Sequence, residues 1–199
     1  MRIFAALAIS VALAGPAQAT QEYILPTLFD VAHVAADDVL NIRQQPNSSS
    51  PIIGTLAPDA KGIEVVQESR GWGRVNSGEV SGWVSMNYLT YRTDVWNPGA
   101  LPAHFRCLGT EPFWNISITG DEIRYSDPEQ TDTQPLHAVL DSGVFRHPTR
   151  AILGGDMTLI TTPQLCSDGM SDRLFGLVAT VIRQGDHPIM LNGCCTIQP

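Results

Sequence analysis

Cysteine is missing from the first 106 residues, and the four present, Cys107, Cys166, Cys194 and Cys195, all fall in the second half of the chain. Positive charge is scarce. Twelve Lys and Arg stand against twenty Asp and Glu, for a net charge of −8. That balance removes any bulk electrostatic basis for binding nucleic acid or an anionic membrane surface. No apolar run reaches the roughly 20 residues that a spanning helix needs, so no membrane span is expected. Also absent are Cys-x-x-Cys, Gly-x-Ser-x-Gly, His-Glu-x-x-His and a phosphate loop, so no catalytic residue, cofactor or metal site is indicated by motif.

What is present begins with a targeting pattern. Arg2 precedes an apolar run from Ile3 to Ala14, Gly15-Pro16 breaks it, and Ala17-Gln18-Ala19 is a small-x-small cleavage site. This reads as a secretory signal peptide over residues 1–19, and it predicts a periplasmic or secreted product. Removing 19 of 199 residues leaves 180, enough for one domain or two small ones. In an oxidising compartment an even number of cysteines predicts disulfides.

Residues 20–92 read as short strands. Leu40–Arg43 alternates apolar and polar, Ile52–Leu56 follows, and Gly62–Glu68, Gly71–Val75 and Gly82–Ser85 continue the pattern between turn clusters such as QQPNSSSP and NSGEVSG. Period-2 patterning at this spacing predicts a compact barrel of five to seven strands. In Leu40–Arg43 the apolar residues face the core, and Asn41 and Arg43 point away. Trp72 and Trp83 each follow a glycine. Two readings stand for Trp72: it fills the core, or it lines a shallow peptide groove with Tyr88.

The elements Leu40-Asn41-Ile42-Arg43, Pro46, Ile53-Gly54 with Leu56, Val65, Gly71-Trp72, Val75, Gly82-Trp83-Val84 and Tyr88-Leu89 resemble the bacterial SH3 (SH3b) family of envelope proteins. The resemblance implies an SH3-like barrel. It also implies a binding role, since such modules in cell-wall hydrolases take peptidoglycan or its peptide stems as ligand. The proline-helix mode of eukaryotic SH3 domains is not indicated, because its acidic-aromatic loop is not visible.

Residues 93–103, TDVWNPGALPA, read as a linker or interdomain strap, with Trp96 a candidate to pin it to one of the domains. Residues 104–199 are again β-rich. Trp114, Ile116 and Ile118 share a face, Gly120-Asp121 turns, Ile123 and Tyr125 return, and Met157–Thr162 is a further strand. A second small antiparallel barrel or curved sheet is expected, so the fold class is all-β. FRCLGTEPFWNISI, CSDGMSDR and a late GCC resemble an uncharacterised family of exported bacterial domains with Cys-x-Gly-x-Glu-Pro-Phe-Trp, Cys-x-Asp-Gly-Met-Ser-Asp and Gly-Cys motifs. That resemblance brings no activity.

Four cysteines allow three pairings. A Cys194–Cys195 bond between neighbours is geometrically disfavoured. Neighbours on a strand point to opposite faces, so one is expected to meet Cys107 and the other Cys166. The segment Cys166–Phe175 then reads as a disulfide-anchored turn with Arg173 placed to pair with Asp168 or Asp172. As a nucleophile Cys166 is disfavoured, because nearby carboxylates raise a thiol pKa. As a calcium loop the segment lacks the Asp ladder and the distal Glu, and no zinc spacing is present. A glycosidase pair at Glu111 and Asp121 is possible only in principle, since Glu111-Pro112 reads first as a turn.

The expectation is a non-enzymatic envelope protein whose partner is peptidoglycan or a periplasmic protein. The alternative is an envelope enzyme or enzyme inhibitor with its activity in residues 104–199.

Overall fold

The computed structural model describes residues 23–199. The expected signal peptide and its cleavage site lie outside the described residues. The described chain is all-β with sixteen strands, and no helix in it is long and apolar enough to cross a membrane.

The first eight strands are β1 (Thr27–Val31), β2 (Leu40–Arg43), β3 (Ile52–Leu56), β4 (Ile63–Val65), β5 (Gln67–Ser69), β6 (Trp72–Ser77), β7 (Val80–Ser85) and β8 (Leu89–Tyr91). A 3-10 turn, Met86–Tyr88, joins β7 to β8. They form a five-stranded sheet in the order β3-β2-β7-β6-β5 and a three-stranded sheet in the order β4-β1-β8. Phe29, Leu40, Ile42, Val65, Val75 and Val84 fill the space between the sheets. On β2 the buried Leu40 and Ile42 alternate with half-buried Asn41 and Arg43, as a strand with one face in the core requires.

The remaining strands are β9 (Arg106–Thr110), β10 (Phe113–Thr119), β11 (Glu122–Ser126), β12 (Thr131–Asp141), β13 (Arg150–Gly154), β14 (Met157–Cys166), β15 (Phe175–Arg183) and β16 (Ile189–Thr196). Each pairs antiparallel with the next, and β16 returns to β9, closing an eight-stranded barrel. Trp114, Ile116, Ile123, Ile152, Leu159 and Leu177, each at most 1 % exposed, pack its interior. An eight-stranded barrel is just wide enough to be filled by side chains, and here it is a packed core.

The closing ladder is short, with only three paired positions: Cys194 with Leu108, Cys195 with Cys107 and Thr196 with Arg106. The Cys107–Cys195 disulfide staples that seam from within. Cys166–Cys194 ties the end of β14 to β16. Both bridges follow the pairing logic expected for adjacent strand residues.

The segment 93–103 is held firmly. Val95 and Trp96 join the barrel's apolar cluster, and the Trp96 indole N–H donates to the Pro26 carbonyl at 2.7 Å. Arg150, 1 % exposed, lies over the Trp96 ring and donates to the carbonyls of Asn97, Ala100, His147 and Thr149. Leu28 of β1 also belongs to the barrel cluster. The two halves therefore share core.

The segment opening at Cys166 completes the junction. Asp168 organises it, its carboxylate accepting from the Met170 and Ser171 N–H groups and the Ser171 hydroxyl. Burial pushes the Asp168 carboxyl up, but those donors outweigh it and hold it below the usual carboxylate range. Downstream, Asn76 of β6 grips Leu174 twice, donating to its carbonyl at 2.8 Å and accepting from its N–H at 3.0 Å. The Asp172 N–H donates to the Glu79 carbonyl at 3.0 Å. Arg173 sets its guanidinium 5.0 Å from the Phe175 ring centre. The loop is thus a clamp onto the edge of the first domain.

Candidate functional site

Trp72 opens β6 immediately after the turn Arg70-Gly71, where both residues have positive φ (51° and 78°). Ser69 pairs with Trp72 across that turn. Two consecutive left-handed residues make the tight turn whose twist matches the flanking strands, and glycine takes one of them without strain. The alternation along β6 then decides where the indole goes. Gly73 and Val75 are buried, while Trp72 and Arg74 are only half-buried. Trp72 therefore lies on the outward face and is not part of the interior cluster.

Tyr88 ends the 3-10 turn and is 42 % exposed. Its carbonyl accepts from the Ala32 N–H at 2.9 Å, which fixes the turn against the loop between β1 and β2. Trp72 and Tyr88 line one groove of about 610 Å³ together with Asp38, Asn41 and Arg43. Arg43 is held in place by donating to the Ser50 carbonyl at 2.7 Å. The outward direction of Asn41 and Arg43 was readable from the alternation of β2. Asp38, on the loop before that strand, gave no sequence signal, because only the folded loop brings it to the groove that Trp72 lines.

The groove offers two aromatic surfaces, a guanidinium, a carboxylate and an amide. Aromatic rings bury area at low entropic cost, and the paired charges suit a ligand with both an anionic and a cationic group. Trp83, by contrast, is 8 % exposed and sits under Arg74, whose guanidinium lies 5.4 Å from its ring centre. It is buried, yet outside the interior cluster.

A second groove, of about 760 Å³, lies outside the barrel between the Glu111–Phe113 turn and the Cys166–Met170 loop, with Leu108, Val178 and Gly193 in its walls. It gathers residues from all three motif segments of the second half. The same motifs also frame Trp114 from inside. Gly109 is paired with Trp114, and a Cβ there would overlap the indole nitrogen. A Cβ at Gly193 would lie 2.6 Å from Trp114 Cζ2. The two glycines are the slot in which this fully buried ring lies.

All four cysteines are in disulfides. Glu111 lines the second groove, whereas Asp121 sits in the turn between β10 and β11, its carbonyl accepting from the Leu136 N–H. Asp168 spends its carboxylate on its own loop.

No curated protein and no solved structure matched the chain. Residues 38–90 match the bacterial SH3 domain family, and the SH3-like domain carries the Trp72–Tyr88 groove.

Proposed function

We propose that this chain is an exported, non-enzymatic envelope protein that binds a peptide in the Trp72–Tyr88 groove, either the peptide stems of peptidoglycan or a periplasmic protein segment. The observation that carries this reading is the outward placement of Trp72 beside an exposed Tyr88, with Arg43 and Asp38 at the same groove. The bacterial SH3 match over residues 38–90 supports a binding role. Two disulfides suit an oxidising compartment. With every thiol oxidised, no cysteine is left to act as a nucleophile.

The net charge of −8 opposes long-range attraction to an anionic wall. Binding then rests on short-range stacking and hydrogen bonds and is expected to depend weakly on salt. The test is co-sedimentation of the full chain with purified sacculi. Because Leu28 and Trp96 tie the two halves into one core, the full chain is the proper reagent. Trp72→Ala should weaken the affinity about tenfold or more, as truncating an aromatic anchor does, while circular dichroism stays unchanged. Undiminished binding by Trp72→Ala and Tyr88→Ala would remove the groove from the account. Retention from a periplasmic extract with no sacculus binding would assign the groove to a protein partner.

A further inference from the structure

A third groove, of about 560 Å³, runs along the junction of the two domains. Arg74, Val80 and Ser81 line it from β6 and β7, and Ser171, Asp172 and Arg173 from the loop that opens at Cys166. It shares no lining residue with the Trp72–Tyr88 groove. Its two walls are tied together, because Asn76 grips Leu174 and the Glu79 carbonyl accepts from the Asp172 N–H. Acids outnumber bases in this chain, twenty to twelve, yet the two guanidiniums at this groove lack a carboxylate of their own. Among the described residues neither Arg74 nor Arg173 forms an ion pair. Arg74 is half-buried on the outward face of β6, and its Nε donates to the Ser81 hydroxyl at 3.1 Å. Burial pushes its guanidinium below the ordinary range, and no acid offsets the shift. Arg173 stacks over Phe175, and its Nε is buried without an acceptor. Asp168 lies close enough to feel Arg173, but its oxygens are taken by donors of its own loop. A desolvated cation with an unused donor is costly, and an anion in the groove removes that cost.

We propose that this junction groove binds the free carboxylate end of a peptide. A guanidinium fork matches the two oxygens of a carboxylate. Asp172, exposed in the same groove, repels a phosphate dianion more strongly than a single carboxylate. Beyond the arginines the walls carry Ile53 and Val80, each 37 % exposed, and the side-chain amides of Gln44 and Gln45. The two aliphatic residues suit an apolar terminal side chain. The two amides can donate to and accept from the peptide groups that precede the carboxylate. A volume of this size is that of a small-ligand site, so it takes the last few residues of a chain rather than a folded surface.

An NMR titration of the labelled full chain with N-acetyl-alanyl-leucine, its carboxylate free, tests this. The arginine Nε–H signals are followed beside the Trp72 indole. Saturable shifts are expected at Arg74 and Arg173, with dissociation in the millimolar range for so short a ligand. The C-terminal amide of the same peptide should bind about tenfold more weakly or worse, having lost a charge-assisted pair. Arg74→Gln should weaken the free acid by a similar factor, and Arg173→Gln should act in the same direction and serves if Arg74→Gln does not fold. Arginine signals that stay unmoved at about 20 mM peptide overturn the proposal. So does equal binding of acid and amide, and so do folded variants that bind like the parent chain. Shifts at the Trp72 indole alone would assign the peptide to the other groove, overturning this site while leaving the proposed function standing. Inorganic phosphate that moves the two arginines at lower concentration than the peptide would assign the groove to a free anion and overturn the peptide reading.

Discussion

Glu64 is a carboxyl whose burial links stability to pH. It sits on β4, 2 % exposed, and meets the Thr196 hydroxyl at the junction of the two domains. Burial pushes its carboxyl up to about 7, against the opposing pull of Thr196, the backbone at Ile197 and Arg106. An unfolded Glu releases its proton near the ordinary value of 4.5. Between those two values the native state holds a proton that the unfolded chain has lost. Stability should therefore be greatest below the unfolded pKa, fall as pH rises to about 7, and level off above it. At about 1.4 kcal/mol per pH unit the swing is on the order of 3 kcal/mol. Urea denaturation at pH 5 and pH 8 should show it, and Glu64→Gln should flatten this component and raise stability at pH 8. Parallel profiles for the two proteins would remove Glu64 as the cause. The Trp114 slot makes a second prediction at this scale. Gly109→Ala should cost about 2 kcal/mol or more by overpacking, while Gly120→Ala, which meets no neighbour within 4 Å, should cost less, with only its positive φ to resist it. Equal losses would contradict the slot.

The element with the most distinct role is the Cys166–Leu174 loop, anchored at one end by Cys166–Cys194 and at the other by Asn76. A disulfide closing 28 residues contributes roughly 3–4 kcal/mol in the chain-entropy picture. Replacing Cys166 and Cys194 by Ser should free the clamp locally before the barrel unfolds, so trypsin should cut after Arg173 about tenfold faster. An unchanged cleavage rate would show that the Asn76 contacts hold the loop alone. The sequence made the loop's anchoring legible, because Asp168-Gly169 marks a turn and adjacent cysteines must diverge. Its docking on β6 and β7 was not legible, since Asn76 lies 98 residues from Leu174. Strand β1 was hidden for a different reason. Phe29 and Val31 enter one core while Leu28 enters the other, so a strand buried on both sides loses the alternation that reveals a half-exposed one. Strands β2 and β3 bury one face or neither and were read at their observed bounds. At the groove, Trp72 and Tyr88 were visible as candidates, and what decided Trp72 was the burial of its neighbours Gly73 and Val75.

At the scale of the whole molecule, two β domains share core. Leu28 and Trp96 give the barrel part of its core from outside its own strands, and Glu64 with Thr196 seals the junction. A single cooperative unfolding transition is expected, with near-ultraviolet and far-ultraviolet signals coincident. Two separated transitions would mean that the shared core is too weak to couple the halves. The shared core sets the SH3-like groove beside a disulfide-stapled barrel. On the proposed function, ligand binding falls to the SH3-like groove rather than to the barrel. The most direct test is a two-dimensional NMR titration of the labelled full chain with a soluble muropeptide digest. Shifts are expected at the Trp72 indole, Tyr88, Asn41 and Arg43, with Phe113, Met170 and Val178 unmoved. Shifts concentrated at Phe113 and Met170, with Trp72 and Tyr88 unmoved, would contradict it.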